Sequence, residues 1–181
     1  MVAENYLSLW LEFNQQITSF NNELKRQAED SPVTLIYRSA SGIGPVTAAT
    51  LAVELGDMSQ FKNEKALFSY TGLTPTEYSS GEQRRLGCIS RQGNTRLRRV
   101  LIECAWVAIR KDKKLADDYK RISARRGKKR AIVAVARKLI GRIRAAVRRG
   151  ELYKPGHSLI CLLYTSPSPR DATLSRMPSS A

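Results

Sequence analysis

The sequence predicts a mainly α chain. It reads as an N-terminal coiled-coil helix, then a helical domain containing a helix-hairpin-helix, with a short loop or hairpin around residues 76–93. Three observations carry this reading. Apolar residues recur at spacings of three and four in several separate stretches, the period of one helix face. Gly42-Ile43-Gly44 falls between two apolar stretches, where a tight turn between helices is expected. Strand-like alternation is confined to Arg85 to Ile89, inside a polar segment punctuated by Gly81, Gly87 and Gly93.

At the N-terminus, Tyr6, Trp10, Phe13, Ile17, Phe20 and Leu24 follow the a/d spacing of a coiled coil, with Glu12, Asn14, Gln15 and Glu23 between them. Residues 3–29 are therefore one long helix. Its aromatic seam needs a cover, either its own domain or another chain. Pro32 breaks the pattern and opens the second region, 31–156. Within it, residues 33–57 form the helix-hairpin-helix. Leu35 and Ile36 precede the glycine turn, Pro45 suits the first position of the next helix, and Val46, Ala49, Thr50 and Val53 repeat until Gly56 stops it. Small residues such as Gly42 and Gly44 allow close backbone approach, and amides at the following helix start can meet a phosphate. Such hairpins also serve as plain packing units.

A short helix over 62–75 ends at Gly72. The helix after Asn94 runs through Lys111, with Leu97, Val100, Leu101, Cys104, Ala105 and Ala108 on its buried face and Arg96, Arg98 and Arg99 displayed at its start. The last helix, KKRAIVAVARKLIGRIRAAVRR, buries Ile132, Val135, Ala136, Leu139, Ile140, Ile143 and Val147. It displays Lys128, Lys129 and Arg130, with Arg137 and Arg144 following at seven-residue intervals.

The chain has 181 residues and a formal net charge of +15, which points to a polyanionic partner. The charge is localised: residues 1–80 hold 5 Lys/Arg against 9 Asp/Glu, and residues 82–150 hold 23 against 5. Self-repulsion on that scale favours a phosphate backbone over a solvated cationic face. Cys88, Cys104 and Cys161 are too few and too far apart for a zinc motif or a disulfide framework, so they read as reduced. No metal-ligand cluster is visible. With no leader and no apolar run long enough to span a bilayer, a cytoplasmic protein without a membrane partner is expected. Residues 157–181 read as disordered, and within them CLLYTSPSPRDATLSRMPSSA, 161–181, resembles the translation of a sequencing-library adapter.

Ser79-Ser80-Gly81 beside Arg84, Arg85 and Arg91 admits two readings. Ser and Gly are ordinary turn residues, and on residue chemistry alone the turn is preferred. A serine hydroxyl is a poor nucleophile unless a base or metal activates it, and the one histidine, His157, is remote in sequence.

Three blocks carry a family resemblance: GIGPVTAATLAVELGD, then FKNEKALFSYTGLTPTEYSSGEQRRLGCISRQGNTRLRRVLIECAW, then RRGKKRAIVAVARKLI. In this order and spacing, over residues 33–154, the chain resembles the C-terminal transposase domain of the IS-one-ten insertion-sequence family, including its IS-eleven-eleven branch. The resemblance implies a DNA recombinase guided by a structured RNA. It also implies a nucleophilic serine at Ser80, with Ser79 the adjacent alternative, and a separate acidic domain holding Mg2+. Under it, Gly42, Gly44, Arg84, Arg85, Arg91, Arg96, Arg98, Arg99, Lys128, Lys129, Arg130, Arg137 and Arg144 are expected to meet nucleic acid. The resemblance makes residues 1–30 the end of a coiled-coil linker and the seam over 6–24 a site of homo-oligomerisation, and this chain alone is expected to bind without cutting. One departure is Ala40-Ser41, where the family commonly has Ile-Pro before Gly-Ile-Gly.

Overall fold

A computed structural model describes residues 2–78, 86–90 and 92–155. Helix α1 runs Val2–Asp30 as one uninterrupted rod, with no glycine or proline inside it. Tyr6, Trp10, Phe13, Ile17 and Phe20 stay more than half exposed along it, and Leu24 is half-buried. The C-terminal end of α1 packs on the next two helices, while the aromatic seam remains uncovered.

Ser31 ends that rod and caps α2 (Pro32–Ser39), its hydroxyl accepting from the Thr34 amide. A turn then leads into α3 (Pro45–Leu55), which starts on Pro45 and stops at Gly56. The two helices pack together, with Ile36 and Tyr37 of α2 and Ala48, Leu51 and Leu55 of α3 buried. Tyr37 donates to the Gly56 carbonyl at 2.8 Å, and burial pushes its phenol far above the usual range, keeping it neutral. The apolar repeat expected for α3 is corrected here. Val46 and Val53 lie on the outer face, 51% and 86% exposed, and the inward face is one step round the helix. Because α3 is apolar on nearly every side, periodicity alone did not select its buried face.

Packing against α1 and α2 selects it, and the turn before α3 meets a later helix. Gly42 has φ +92°, and a Cβ added there would lie 2.6 Å from the Cys104 carbonyl oxygen and 3.1 Å from the Ala108 amide nitrogen. The turn is pressed onto the backbone of α5 (Thr95–Lys111). Gly42→Ala thus meets both a backbone penalty and a clash, and is expected to lower stability by at least about 2 kcal/mol in urea denaturation. An unchanged midpoint would mean that the turn can shift away from α5.

Asn63 caps α4 (Glu64–Tyr70), its side chain accepting from the Ala66 amide at 2.9 Å. A two-stranded antiparallel hairpin follows, β1 (Pro75–Glu77) with β2 (Leu86–Ile89). The short hairpin expected near 85–89 is present. Asn94 starts α5, accepting from the Arg96 and Leu97 amides.

Two more helices complete the fold, α6 (Lys113–Arg126) and α7 (Lys128–Arg149). Nothing in the sequence reading anticipated α6. Leu115 is its one fully buried residue, so the helix has too thin an apolar stripe to announce itself. Asp112 makes it start where it does: its carboxylate accepts from the Lys114 and Leu115 amides. The same carboxylate, 1% exposed, pairs with Arg142 at 3.0 Å and accepts from the Tyr153 hydroxyl at 3.0 Å. The Tyr153 amide in turn donates to Ser39 Oγ at 2.8 Å. This chain of bonds ties α2, α6, α7 and the segment after α7 into one unit.

Helix α7 is the centre of the core. Every residue expected to be buried along it is buried, because α2, α5 and α6 all pack on it. Cys104 of α5 lies in the same core, and burial pushes its thiol up to about 11.

Candidate functional site

The segment carrying Ser79 and Ser80 joins β1 to β2. Those serines, with Gly81, Arg84, Arg85 and Arg91, lie outside the described residues, so the geometry available is that of the hairpin base. Pro75 is opposite Ile89 and Glu77 opposite Leu86, with a register irregularity between them that bends the ribbon. Thr76 Oγ1 donates to the Cys88 carbonyl at 3.0 Å, and the Ser90 amide donates to the Thr74 carbonyl at 2.9 Å. The exit from β2 is also held. Gly93, at φ +88°, lies so close to the end of α4 that an added Cβ would be 2.5 Å from the Tyr70 carbonyl oxygen. The next residue, Asn94, donates its amide N–H to that same oxygen at 2.8 Å and its side-chain NH2 to Glu54 at 2.9 Å.

Cationic side chains flank this base on two sides. On one side a groove opens between the hairpin and the corner joining α6 to α7. Its floor is apolar, including Leu73, Ile89, Ile122 and Val133, and Arg126, Lys129, Arg130 and Arg137 line its rim. Gly127, with φ +81°, closes α6 and opens α7, and so turns the RRGKKR run into a compact cluster. On the other side a shallower groove runs along α5, between Ile89, Ile102 and Trp106, and is lined by Arg98 and Arg99. Ile89 belongs to both grooves.

The profile of the Transposase IS116/IS110/IS902 family matches residues 36–121, from α2 to the middle of α6. The "Transposase for insertion sequence element IS1111A" of Coxiella burnetii is 34% identical over 147 residues, covering 79% of this chain and 40% of that protein. This chain belongs to the IS116/IS110/IS902 transposase family. The "Transposase for insertion sequence element IS1328" of Yersinia enterocolitica is 37% identical over 93 residues, 51% of this chain and 28% of the relative. The "Insertion element IS110 uncharacterized 43.6 kDa protein" of Streptomyces coelicolor is 32% identical over 143 residues, 78% of this chain and 35% of its own length. The chain spans about two fifths or less of the transposase-family proteins it matches. The profile match contains the hairpin, the turn at Gly42 and all of α5.

Within this transposase-family chain the expected nucleic-acid residues fall into different environments. Lys128, Lys129 and Arg130 are exposed at the start of α7. Arg96 is exposed and 4.0 Å from Glu54, Arg99 is exposed and pairs with Glu103 at 3.2 Å, and half-buried Arg98 donates to the Gln92 carbonyl. Gly44 is exposed as the cap of α3, whereas Gly42 faces α5, and neither lines the two grooves.

Two arginines are not displayed as the heptad spacing suggested. Arg144 is 7% exposed and donates from Nη2 to the Phe61 carbonyl at 2.8 Å. Arg137 is half-buried, its guanidinium 4.7 Å from the centre of the Phe68 ring. Burial lowers the pKa of both from the usual arginine value, and both remain charged. The loop 61–63 and α4 close over this side of α7, so of the three Arg130 alone is exposed, with Arg137 half-buried at the edge of the groove and Arg144 buried. Arg144→Ala is therefore expected to cost about 2–4 kcal/mol of stability through the abandoned Phe61 carbonyl and lost packing. Arg130→Ala should leave the urea midpoint unchanged, and equal losses for the two variants would contradict this division.

The sequence reading missed Arg126, Trp106 and Asp112 as residues of note. Arg126 stands in the basic run and was legible; Trp106 and Asp112 had no signal apart from their neighbours in space. Among the described residues, no three His, Cys, Asp or Glu side chains come together in a way that could hold a metal ion. No described helix is long and apolar enough to cross a membrane.

Proposed function

We propose that this chain is the serine-bearing, DNA-binding part of an insertion-sequence transposase, and that Ser80 is the nucleophile of DNA strand exchange. The observation that carries the reading is the hairpin. A Ser-Ser-Gly segment connects two strands whose base is lined on both sides by arginine and lysine, inside the region that matches the family. Attack by the Ser80 hydroxyl oxygen on a phosphodiester forms a phosphoserine ester and releases one deoxyribose hydroxyl. The hydroxyl proton leaves to a base, and reversal by the partner strand's hydroxyl restores the phosphodiester. Cations around the hairpin offset the charge that builds on the phosphate.

The residues described do not fit a Mg2+ site, so activation of the hydroxyl is assigned to an acidic domain outside this chain. A structured guide RNA is the second nucleic-acid partner in this reading, and target sequence is then read by base pairing. The α2–turn–α3 unit serves as a helix-hairpin-helix. The uncovered aromatic seam of α1 supports pairing with a second copy, since an exposed apolar stripe of this length gains by burial. Alone, the chain binds DNA without cutting it, within the cytoplasm.

Trapping tests the reading. Incubating the full-length transposase with a nicked suicide substrate should give a denaturation-resistant protein–DNA adduct, whose peptide mapping places phosphate on Ser80. Phosphate on Ser79 would shift the role by one residue, and no adduct in an active preparation would leave a binding module whose serine is structural. Affinity for duplex should fall with salt at a log–log slope of about −0.9 per phosphate neutralised.

A further inference from the structure

We propose that the two grooves meeting at Ile89 form one track for an unpaired DNA strand, with Trp106 as its stacking platform. This rests on the nucleic-acid reading above and specifies which form of nucleic acid lies where. The groove along α5 contains Trp106, 40% exposed, its ring held edge-on by Tyr119 of α6 at 5.6 Å between centroids. A half-exposed indole braced from one side offers its free surface without first having to be ordered. Tyr119 and Ile122 lie three residues apart on the same face of α6, and Ile122 is part of the floor of the second groove. Trp106, Tyr119 and Ile122 therefore lead from one groove to the other.

Charge selects a polyanion for this surface. Arg98 and Arg99 stand at one end and Arg126, Lys129 and Arg130 at the other. Among the described residues, Glu103 is the one acid lining either groove, and Arg99 already engages it. A cationic rim over an apolar and aromatic floor suits a strand whose bases are unstacked, because every base has a π-face to lay on an indole. A duplex keeps its bases stacked inside and presents phosphates alone, so the apolar floor would be wasted on it. Among the described residues of the second groove no side chain carries an oxygen to accept from a 2′-hydroxyl, which leaves its arginines and lysine for phosphates, and DNA is the strand assigned.

Fluorescence of the intact chain tests this. Trp10→Phe, at an exposed position on α1, leaves Trp106 as the sole tryptophan. Titration with an oligothymidylate of about 12 nucleotides, within the range of single-strand site sizes, should quench its emission, and a duplex of equal length should not. Trp106→Ala should weaken oligothymidylate binding about tenfold by anisotropy, Trp106→Phe should retain most of it, and duplex affinity should change less than about twofold. Bound oligothymidylate without quenching, or equal quenching by duplex, overturns the track while the nucleic-acid reading stands. An oligouridylate bound more tightly than the thymidylate overturns the choice of DNA. Binding of neither strand form at low salt overturns the track and the nucleic-acid reading together. Thermal melts of the Trp106 variants separate loss of folding from loss of stacking, and the quenching arm requires no change at Trp106.

Discussion

Ser80→Ala, made in the full-length transposase, is expected to abolish strand exchange, by at least about 10³-fold, while duplex affinity stays within about twofold. The reason is chemical. Covalent catalysis depends on one oxygen, and an alanine methyl cannot form the phosphate ester, whatever the surrounding cations contribute. Binding survives because the positive charge resides on other side chains, at the start of α5 and at the α6–α7 corner. Ser79→Ala provides the internal control. It removes an identical hydroxyl one residue away and should retain most of the activity if Ser80 is the nucleophile, since attack requires one in-line geometry. A complementary loss follows from Arg130→Ala, where the charge goes and the oxygen stays, so DNA affinity falls, the salt slope shrinks by about one phosphate, and covalent chemistry remains possible. Should Ser80→Ala leave recombination intact, the hairpin serine is an ordinary turn residue and the chain a helix-hairpin-helix binding module.

The second large effect concerns stability. Asp112→Ala should cost about 3–5 kcal/mol, because it leaves the Arg142 guanidinium, 12% exposed, without its buried counter-charge. Loss of the cap on the Lys114 and Leu115 amides adds about 1 kcal/mol. Asp112→Asn keeps an oxygen for the cap and loses the charge, so it should fall between alanine and the parent. Combining Asp112→Asn with Arg142→Met removes both charges and should recover much of the loss, since a buried pair is costly chiefly when half of it is removed. Urea denaturation of the parent, Asp112→Asn, Arg142→Met and the double variant gives the coupling directly. Additive losses would mean that Asp112 acts as a helix cap and little else.

This network also shows where the sequence reading ran short. Asp112, Arg142, Tyr153 and Ser39 are far apart along the chain and are ordinary residues in their local contexts, so no periodicity joins them. Helix α6 escaped notice for a related reason: its polar surface gives it little apolar period, and it is held by α7 and by one carboxylate. Arg144 shows the opposite failure. Its spacing from Arg130 and Arg137 implied a solvent-facing stripe, and the loop at Phe61 covers it. In α3 the apolar residues were recognised and their inward face was not, because packing against α1 and α2 sets the rotation of that helix.

The sequence by itself determined the long N-terminal helix, the glycine turn between α2 and α3, the buried faces of α5 and α7, the short hairpin and the concentration of positive charge after residue 82. These are properties of neighbours along the chain: helical period, turn chemistry and charge density are written within a few residues. Only the tertiary structure decided which arginines face solvent, that the α6–α7 corner and the start of α5 converge on the base of one hairpin, and that Trp106 lies half open beside it. Those facts depend on how one helix packs against another, and the residues that set the packing are scattered along the chain.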